Sequence, residues 1–234
     1  MRLAFISDIH GNLVALDSAL ADIKKRGIDV VICLGDIVDL GPQPAKTVER
    51  LRERQILCIQ GNHDLLDENP VIPKLQKVEN WTRDQLSTEQ QQWLKDLPFQ
   101  HIVDLGSTSV LCVHGSPQAN TQGMEPDTPS DRLRLWCRDI EQDVIVAGHT
   151  HLQLCRRLDQ TLIINAGSIG MPFEAPMLGQ PRLLKYTDYA IVSSDNGNVS
   201  AELVRLPLDF KAFGKSFAGT GFPGAEYWLS QWVD

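Results

Sequence analysis

Leu3-Ala4-Phe5-Ile6-Ser7-Asp8-Ile9-His10-Gly11-Asn12 runs from an apolar strand straight into a polar loop. Beyond it, Leu13, Leu16, Leu20 and Ile23 recur at helical spacing, with Asn12 in the N-cap position, Lys24-Lys25-Arg26 in the last turn and Gly27 as a stop. Residues 30–34 (Val-Val-Ile-Cys-Leu) form a second apolar strand that delivers Gly35-Asp36. Pro42 and Pro44 mark a turn before a helix over roughly 45–54, and the apolar run 56–59 then delivers Gly61-Asn62-His63-Asp64. Strand, loop and amphipathic helix in alternation indicate a parallel sheet with crossover helices, in which ligands bind at the carboxyl ends of the strands.

Residues 65–100 change character to polar and helical, with Ser87-Thr88-Glu89-Gln90 matching a capping box, and are expected to form a helical insertion flanking the site. Strands return at 110–113, ending in His114-Gly115, and at 144–147, ending in Gly148-His149-Thr150-His151. Between them lie a loop over 115–130 and a short helix over about 131–139, and residues 162–164 lead into a turn-prone segment, 165–170. Late strands near 189–193 and 199–206 flank Asp195-Asn196-Gly197-Asn198, a hairpin signal. The tail, 208–234, holds four of the seven Phe and two of the five Trp and is expected to wrap onto the core rather than to form a lid. Loops 115–130 and 171–181 and the tail are expected to shape specificity. Met171, Phe173 and Met177 suit either an apolar rim to the site or an ordinary loop anchor.

With 234 residues, 42% hydrophobic and 22% charged, the chain is expected to form one α/β domain over 1–234. Nothing resembles a membrane span, and the first apolar run is broken by Ser7, Asp8 and His10 too early for a signal peptide, so a cytoplasmic protein is expected. Cys33, Cys58, Cys112, Cys137 and Cys155 are odd in number and form no C-x-x-C pair, which favours small buried hydrophobes over a disulfide framework. A net charge of −8 opposes an extended nucleic-acid face, so any phosphate must be attracted locally.

Five of the six histidines (His10, His63, His114, His149, His151) lie in strand-end motifs, together with Asp8 and Asp36; only His101 does not. That coincidence points to a metal or catalytic centre. Asp8 and His10, one residue apart, would lean to one side of an extended segment and grip one ion, and His149 and His151 share the spacing. Asp36 suits one oxygen on each of two ions, Asn62 a ligand and His63 a proton carrier. Carboxylate, imidazole and amide oxygen without thiolate favour two divalent ions such as Mn, Fe, Co, Ni or Zn.

As a set, Asp8-x-His10, Gly35-Asp36, Gly61-Asn62-His63-Asp64, His114-Gly115 and Gly148-His149-Thr150-His151 resemble the calcineurin-like metallophosphoesterases, in order across residues 3–170. Details such as Gly41-Pro42 and Asn165-Ala166-Gly167-Ser168 are similar to the small bacterial phosphodiesterase branch. The resemblance implies a four-layer αββα sandwich, two mixed β-sheets flanked by helices, with the metal site at the strand carboxyl ends. It implies that Asp8, His10 and His151 hold one metal, that Asn62, His114 and His149 hold the other, and that Asp36 bridges them. His63 would lie near the leaving group, with Asp64 orienting its imidazole. The expected reaction is hydrolysis of a small phosphodiester by a hydroxide shared between the metals, with His63 as general acid. Phosphomonoesters, dinucleotide polyphosphates and nucleic acid ends are alternative substrates, and a non-catalytic metal-stabilised interaction scaffold is the alternative of another class. Residues 35–41 are partly similar to the serine/threonine protein phosphatase signature, but Leu40 stands where those carry arginine and Asp64 where they carry glutamate. Asp39 is read as a turn residue rather than as a group behind the site.

Overall fold

The strand β1 (Arg2–Ile6) sends Leu3 and Phe5 to one hydrophobic core and Ala4 and Ile6 to another, all four buried. A strand buried on both faces must lie inside a layered structure. The computed structural model describes residues 1–28, 30–66, 75–174 and 182–233.

From β1 the chain passes through α1 (Leu13–Lys25) to β2 (Val31–Cys33), then α2 (Pro44–Glu53) to β3 (Leu57–Cys58). Two helices follow, α3 (Gln76–Gln85) and α4 (Thr88–Lys95), before the hairpin β4 (Gln100–Leu105) and β5 (Thr108–Val113). Then come α5 (Ser130–Trp136), β6 (Val144–Ala147), β7 (Gln153–Leu158), β8 (Thr161–Ala166), β9 (Leu183–Leu184), β10 (Tyr186–Asp195) and β11 (Asn198–Pro207). The chain closes with α6 (Phe210–Ser216), α7 (Ala225–Leu229) and β12 (Trp232–Val233).

Asn12 caps α1 as expected, its Oδ1 accepting from Ala15 N, and Gly27 follows the helix at φ +69°. Ser87 and Gln90 form the capping box of α4. At the hairpin tip, Asn196 and Gly197 both have positive φ, the turn that matches the twist of paired strands.

One five-stranded sheet has the order β11-β10-β1-β2-β3, a second has the order β4-β5-β6-β8-β7, and β9 and β12 pair as a small two-stranded parallel sheet. The first is parallel from β1 through β2 to its edge β3 and antiparallel across β1, β10 and β11; the second is parallel at its centre (β5 with β6, β6 with β8) and antiparallel at both margins. The two large sheets face one another across a core of Leu3, Phe5, Ile32, Val110, Val144, Ile164 and Val192. Helices α1, α2 and α6 cover the outer face of the first sheet, and α5 covers that of the second. The architecture is the expected four-layer sandwich of two mixed sheets flanked by helices. All the central parallel strands end toward the same edge, so their carboxyl-terminal loops converge there.

Besides the two-residue strands β9 and β12, two longer strands, β4 and β7, lie where no strand was expected. Both are sheet margins, β4 mostly exposed and β7 mostly half-buried with Cys155 and Arg157 exposed, so neither carries a long apolar run. The aromatic tail does join the core: Phe213, Phe217, Phe222 and Trp232 are buried with α1 and β10. Cys33, Cys58 and Cys112 are buried hydrophobes, but Cys155 on β7 is exposed, and all five thiols are free. Among the described residues no helix is long and apolar enough to cross a membrane.

Candidate metal centre

Seven side chains converge where β1, β2, β3, β5 and β6 end. Asp8, His10, Asp36 and His151 each offer a ligand atom, all within 4.8 Å of one another, and Asp36, His114 and His149 form a second such group. Asp36 belongs to both. Its Oδ2 lies 3.7 Å from His10 Nε2 and 3.3 Å from His114 Nε2, between the two groups. Asn62 joins the second, its Oδ1 standing 3.0 Å from His114 Nε2.

The backbone that delivers these groups is not the extended segment expected from the Asp8-x-His10 spacing. Asp8, His10, Asp36, His149 and His151 all have φ between +49° and +67°. Left-handed φ is uncommon outside glycine, and it persists only where the surroundings enforce it. Each ligand is thus turned out of its strand direction, and Asp8 and His10 reach the same point by repeated turning rather than by the two-residue pleat.

The enforcement is visible in the neighbouring loops. A Cβ on Gly61 would stand 2.1 Å from Asp36 Oδ1, and one on Gly148 would stand 1.9 Å from Ser7 Oγ, so glycine alone lets these loops nest. Backbone amides fix one oxygen of each carboxylate: His149 N donates to Asp8 Oδ2 (2.9 Å) and His63 N to Asp36 Oδ1 (2.8 Å). The other oxygen of each then faces the centre. Asn165 Nδ2 donates to Gly148 O, and Ser168 Oγ donates to Asp8 O, which ties the loops after β1, β6 and β8 together.

The histidine rings are anchored from behind. His114 Nδ1 donates to Leu34 O (2.8 Å) and His151 Nδ1 to Met171 O (2.6 Å), which leaves each Nε2 facing the centre. Phe173 stacks on the His151 ring at a centroid distance of 4.3 Å. Met171 is buried in the core, so both residues act as anchors of the His151 loop; Met177 lies outside the described residues.

These groups fit cations. His10 Nε2 and His151 Nε2 meet at 3.2 Å, and Asp8 Oδ1 beside them is buried without a hydrogen-bond partner among the described residues. Buried polar atoms left this way are costly unless an ion satisfies them. The electrostatics agree. Burial would raise Asp36, but His114, His63 and His10 hold it well below the usual carboxylate range. Burial lowers His10 to about 4, whereas at His114 Asp36 overcomes burial and raises the ring to about 9.

His63 stands beside the centre, its ring centroid 5.2 Å from that of His10, and is 23% exposed. Asp64 does not orient it. Asp64 Oδ1 accepts from Ile37 N (2.8 Å) and Val38 N (3.3 Å), and Oδ2 accepts from Gly61 N (2.9 Å), so its carboxylate ties the loop after β2 to the loop after β3. The partner is Asp39, whose Oδ2 accepts from His63 Nδ1 at 2.8 Å. Asp39, expected as a turn residue, is 1% exposed and lies behind the site. Burial would depress the basicity of His63, but Asp36 and Asp39 outweigh it and raise its pKa to about 9. The Gly35-Asp36-x-x-Asp39 spacing is the sequence signal for this residue, and the left-handed turn at Asp39 (φ +66°) and Leu40 (φ +62°) is what the sequence does not display.

Residues 1–185 match the family model for the calcineurin-like phosphoesterase superfamily domain. An uncharacterised protein of Methanocaldococcus jannaschii is 30% identical over 225 residues, covering 89% of this chain and 88% of its own length. The phosphodiesterase YfcE of Escherichia coli strain K12 is 27% identical over 182 residues, covering 74% and 81%. Among solved structures, a metallophosphoesterase from Sphaerobacter thermophilus superposes with a TM-score of 0.77 at 28% identity, covering 99% of this chain and 97% of its own.

Proposed function

The chain belongs to the calcineurin-like phosphoesterase superfamily, and from that membership we propose that it is a metal-dependent phosphodiesterase acting on small phosphodiesters. The observation that carries the reading is Asp36, a buried carboxylate common to two ligand groups beside a histidine held by a carboxylate of its own. Two divalent ions of the Mn, Fe, Co, Ni or Zn type, when bound, would polarise the phosphoryl oxygens and bring the pKa of water toward neutrality.

Asp8, His10 and His151 would hold one ion, Asn62, His114 and His149 the other, and Asp36 would serve both. With Nδ1 held by Asp39, His63 presents Nε2 as its remaining proton-bearing atom. As the P–O bond to the leaving group breaks, the Nε2 proton passes to the departing oxygen, a step that contributes about 10²–10⁴-fold in general acid catalysis. Asp64 has no part in that transfer; it keeps the two loops in register.

The test is turnover of an alkyl and an aryl phosphodiester by manganese-loaded protein, alongside His63→Ala. Hydrolysis of both by the native chain, with the variant losing the alkyl ester far more than the aryl ester, is the expected result. A folded, metal-loaded chain that turns over neither would overturn the enzymatic reading and favour a scaffold.

A further inference from the structure

Helix α3 carries a hydroxyl that reaches into this site from outside the loops that hold the ligands. Thr82 is fully buried near the middle of α3, and its Oγ1 donates to Asp39 Oδ1 at 3.2 Å. Threonine is a poor choice for a helix interior, where its hydroxyl commonly turns back to the carbonyl one turn earlier. Here the hydroxyl instead reaches 43 residues along the chain.

Asp39 Oδ1 accepts from Leu40 N (2.9 Å) and from Thr82, and Oδ2 accepts from His63 Nδ1 (2.8 Å). The carboxylate is attached to a left-handed backbone, and within its own turn a single bond holds it, from Leu40 N to Oδ1. The Thr82 hydroxyl adds a second bond to the same Oδ1 from α3, outside the turn, and so holds that oxygen from two directions while Oδ2 stays turned toward His63 Nδ1. A hydrogen bond to an ion in a buried network acts on every member of that network.

We propose that Thr82 is a positioning residue: through Asp39 it sets the His63 imidazole for proton donation and makes α3 part of the catalytic apparatus. The proposal rests on the reading of His63 as general acid. In that step the P–O bond breaks, the leaving oxygen takes the Nε2 proton, and Thr82 exchanges no atom; it keeps the donor aligned. A leaving group that needs no proton should be indifferent to it.

The experiment compares Thr82→Val, Thr82→Ser and His63→Ala on an alkyl and a p-nitrophenyl phosphodiester, with manganese content measured for each. Thr82→Val should bind as much manganese as the native chain, lose about 5- to 30-fold in kcat on the alkyl ester, and lose less than about 2-fold on the aryl ester. Thr82→Ser, which keeps the hydroxyl, should restore most of the alkyl rate. Equal losses on both esters, no loss on either, or failure of serine to restore the rate would overturn the role of Thr82. If His63→Ala also fails to separate the two esters, the general-acid reading falls, and this inference with it.

Discussion

Asp39 and Asp64 lie close in the structure and do unlike work. Asp39 Oδ2 holds His63 Nδ1, whereas Asp64 satisfies three buried backbone amides from the loops after β2 and β3. Their alanine variants should therefore fail differently. Asp64→Ala leaves those donors unpaired and should cost about 3 kcal/mol or more of stability, read as a fall in the urea midpoint. Asp39→Ala leaves one buried backbone amide, Leu40 N, unpaired, together with a threonine hydroxyl that can turn back to its helix and a partly exposed ring, so it should cost less stability than Asp64→Ala while keeping its metals and losing about 10- to 100-fold in turnover of an alkyl ester. Equal loss of stability in both would remove the distinction.

At the scale of elements, the ligands are held by loops that touch without a side chain between them. Gly148→Ala places a methyl where Ser7 Oγ and Asp8 Oδ2 now stand, 1.9 Å and 2.6 Å from the ideal Cβ. It should weaken metal binding by at least about 10-fold, measured by manganese titration, because strain at a nested loop is relieved by moving Asp8. Away from the site, α1 is tied to β10 by Tyr189 Oη, which donates to Asp22 Oδ2 (2.5 Å), with Arg26 Nε donating to the same oxygen (2.7 Å). Burial would raise Asp22, but Tyr189 and Arg26 outweigh it and hold the carboxyl below its usual value of 3.8. A depressed carboxylate stabilises the fold above its unfolded pKa, and that contribution disappears as pH falls through the folded value. Tyr189→Phe should thus destabilise the protein more at about pH 6 than at about pH 2.5, measured by urea unfolding at each pH. An equal cost at both would show that the phenol does not act through Asp22.

Taken as a whole molecule, the part legible in the sequence was the part built from uncommon residue types or doubly buried strands. β1, β2 and β6 were readable because both faces are buried, and the ligands because histidines and aspartates at strand ends have few structural uses. β4 and β7 were not, because a sheet margin with one wet face carries charges such as Asp104 and Arg156 that resemble a loop. Asp39 was misjudged because its role depends on where a left-handed turn points a carboxylate, and Thr82 gave no signal because a threonine in a polar helix has no period to betray its partner.

The two sheets, buried on both sides, give the carboxyl-end loops a rigid frame, and Asp36 is the group on which both halves of the site depend. Manganese content per chain, after saturation and removal of free ion, tests that dependence most directly in the native protein and in Asp36→Ala. About two ions per native chain and loss at both positions in the variant are the predicted result. A native chain that holds a single ion, or an Asp36→Ala chain that still holds two, would contradict it.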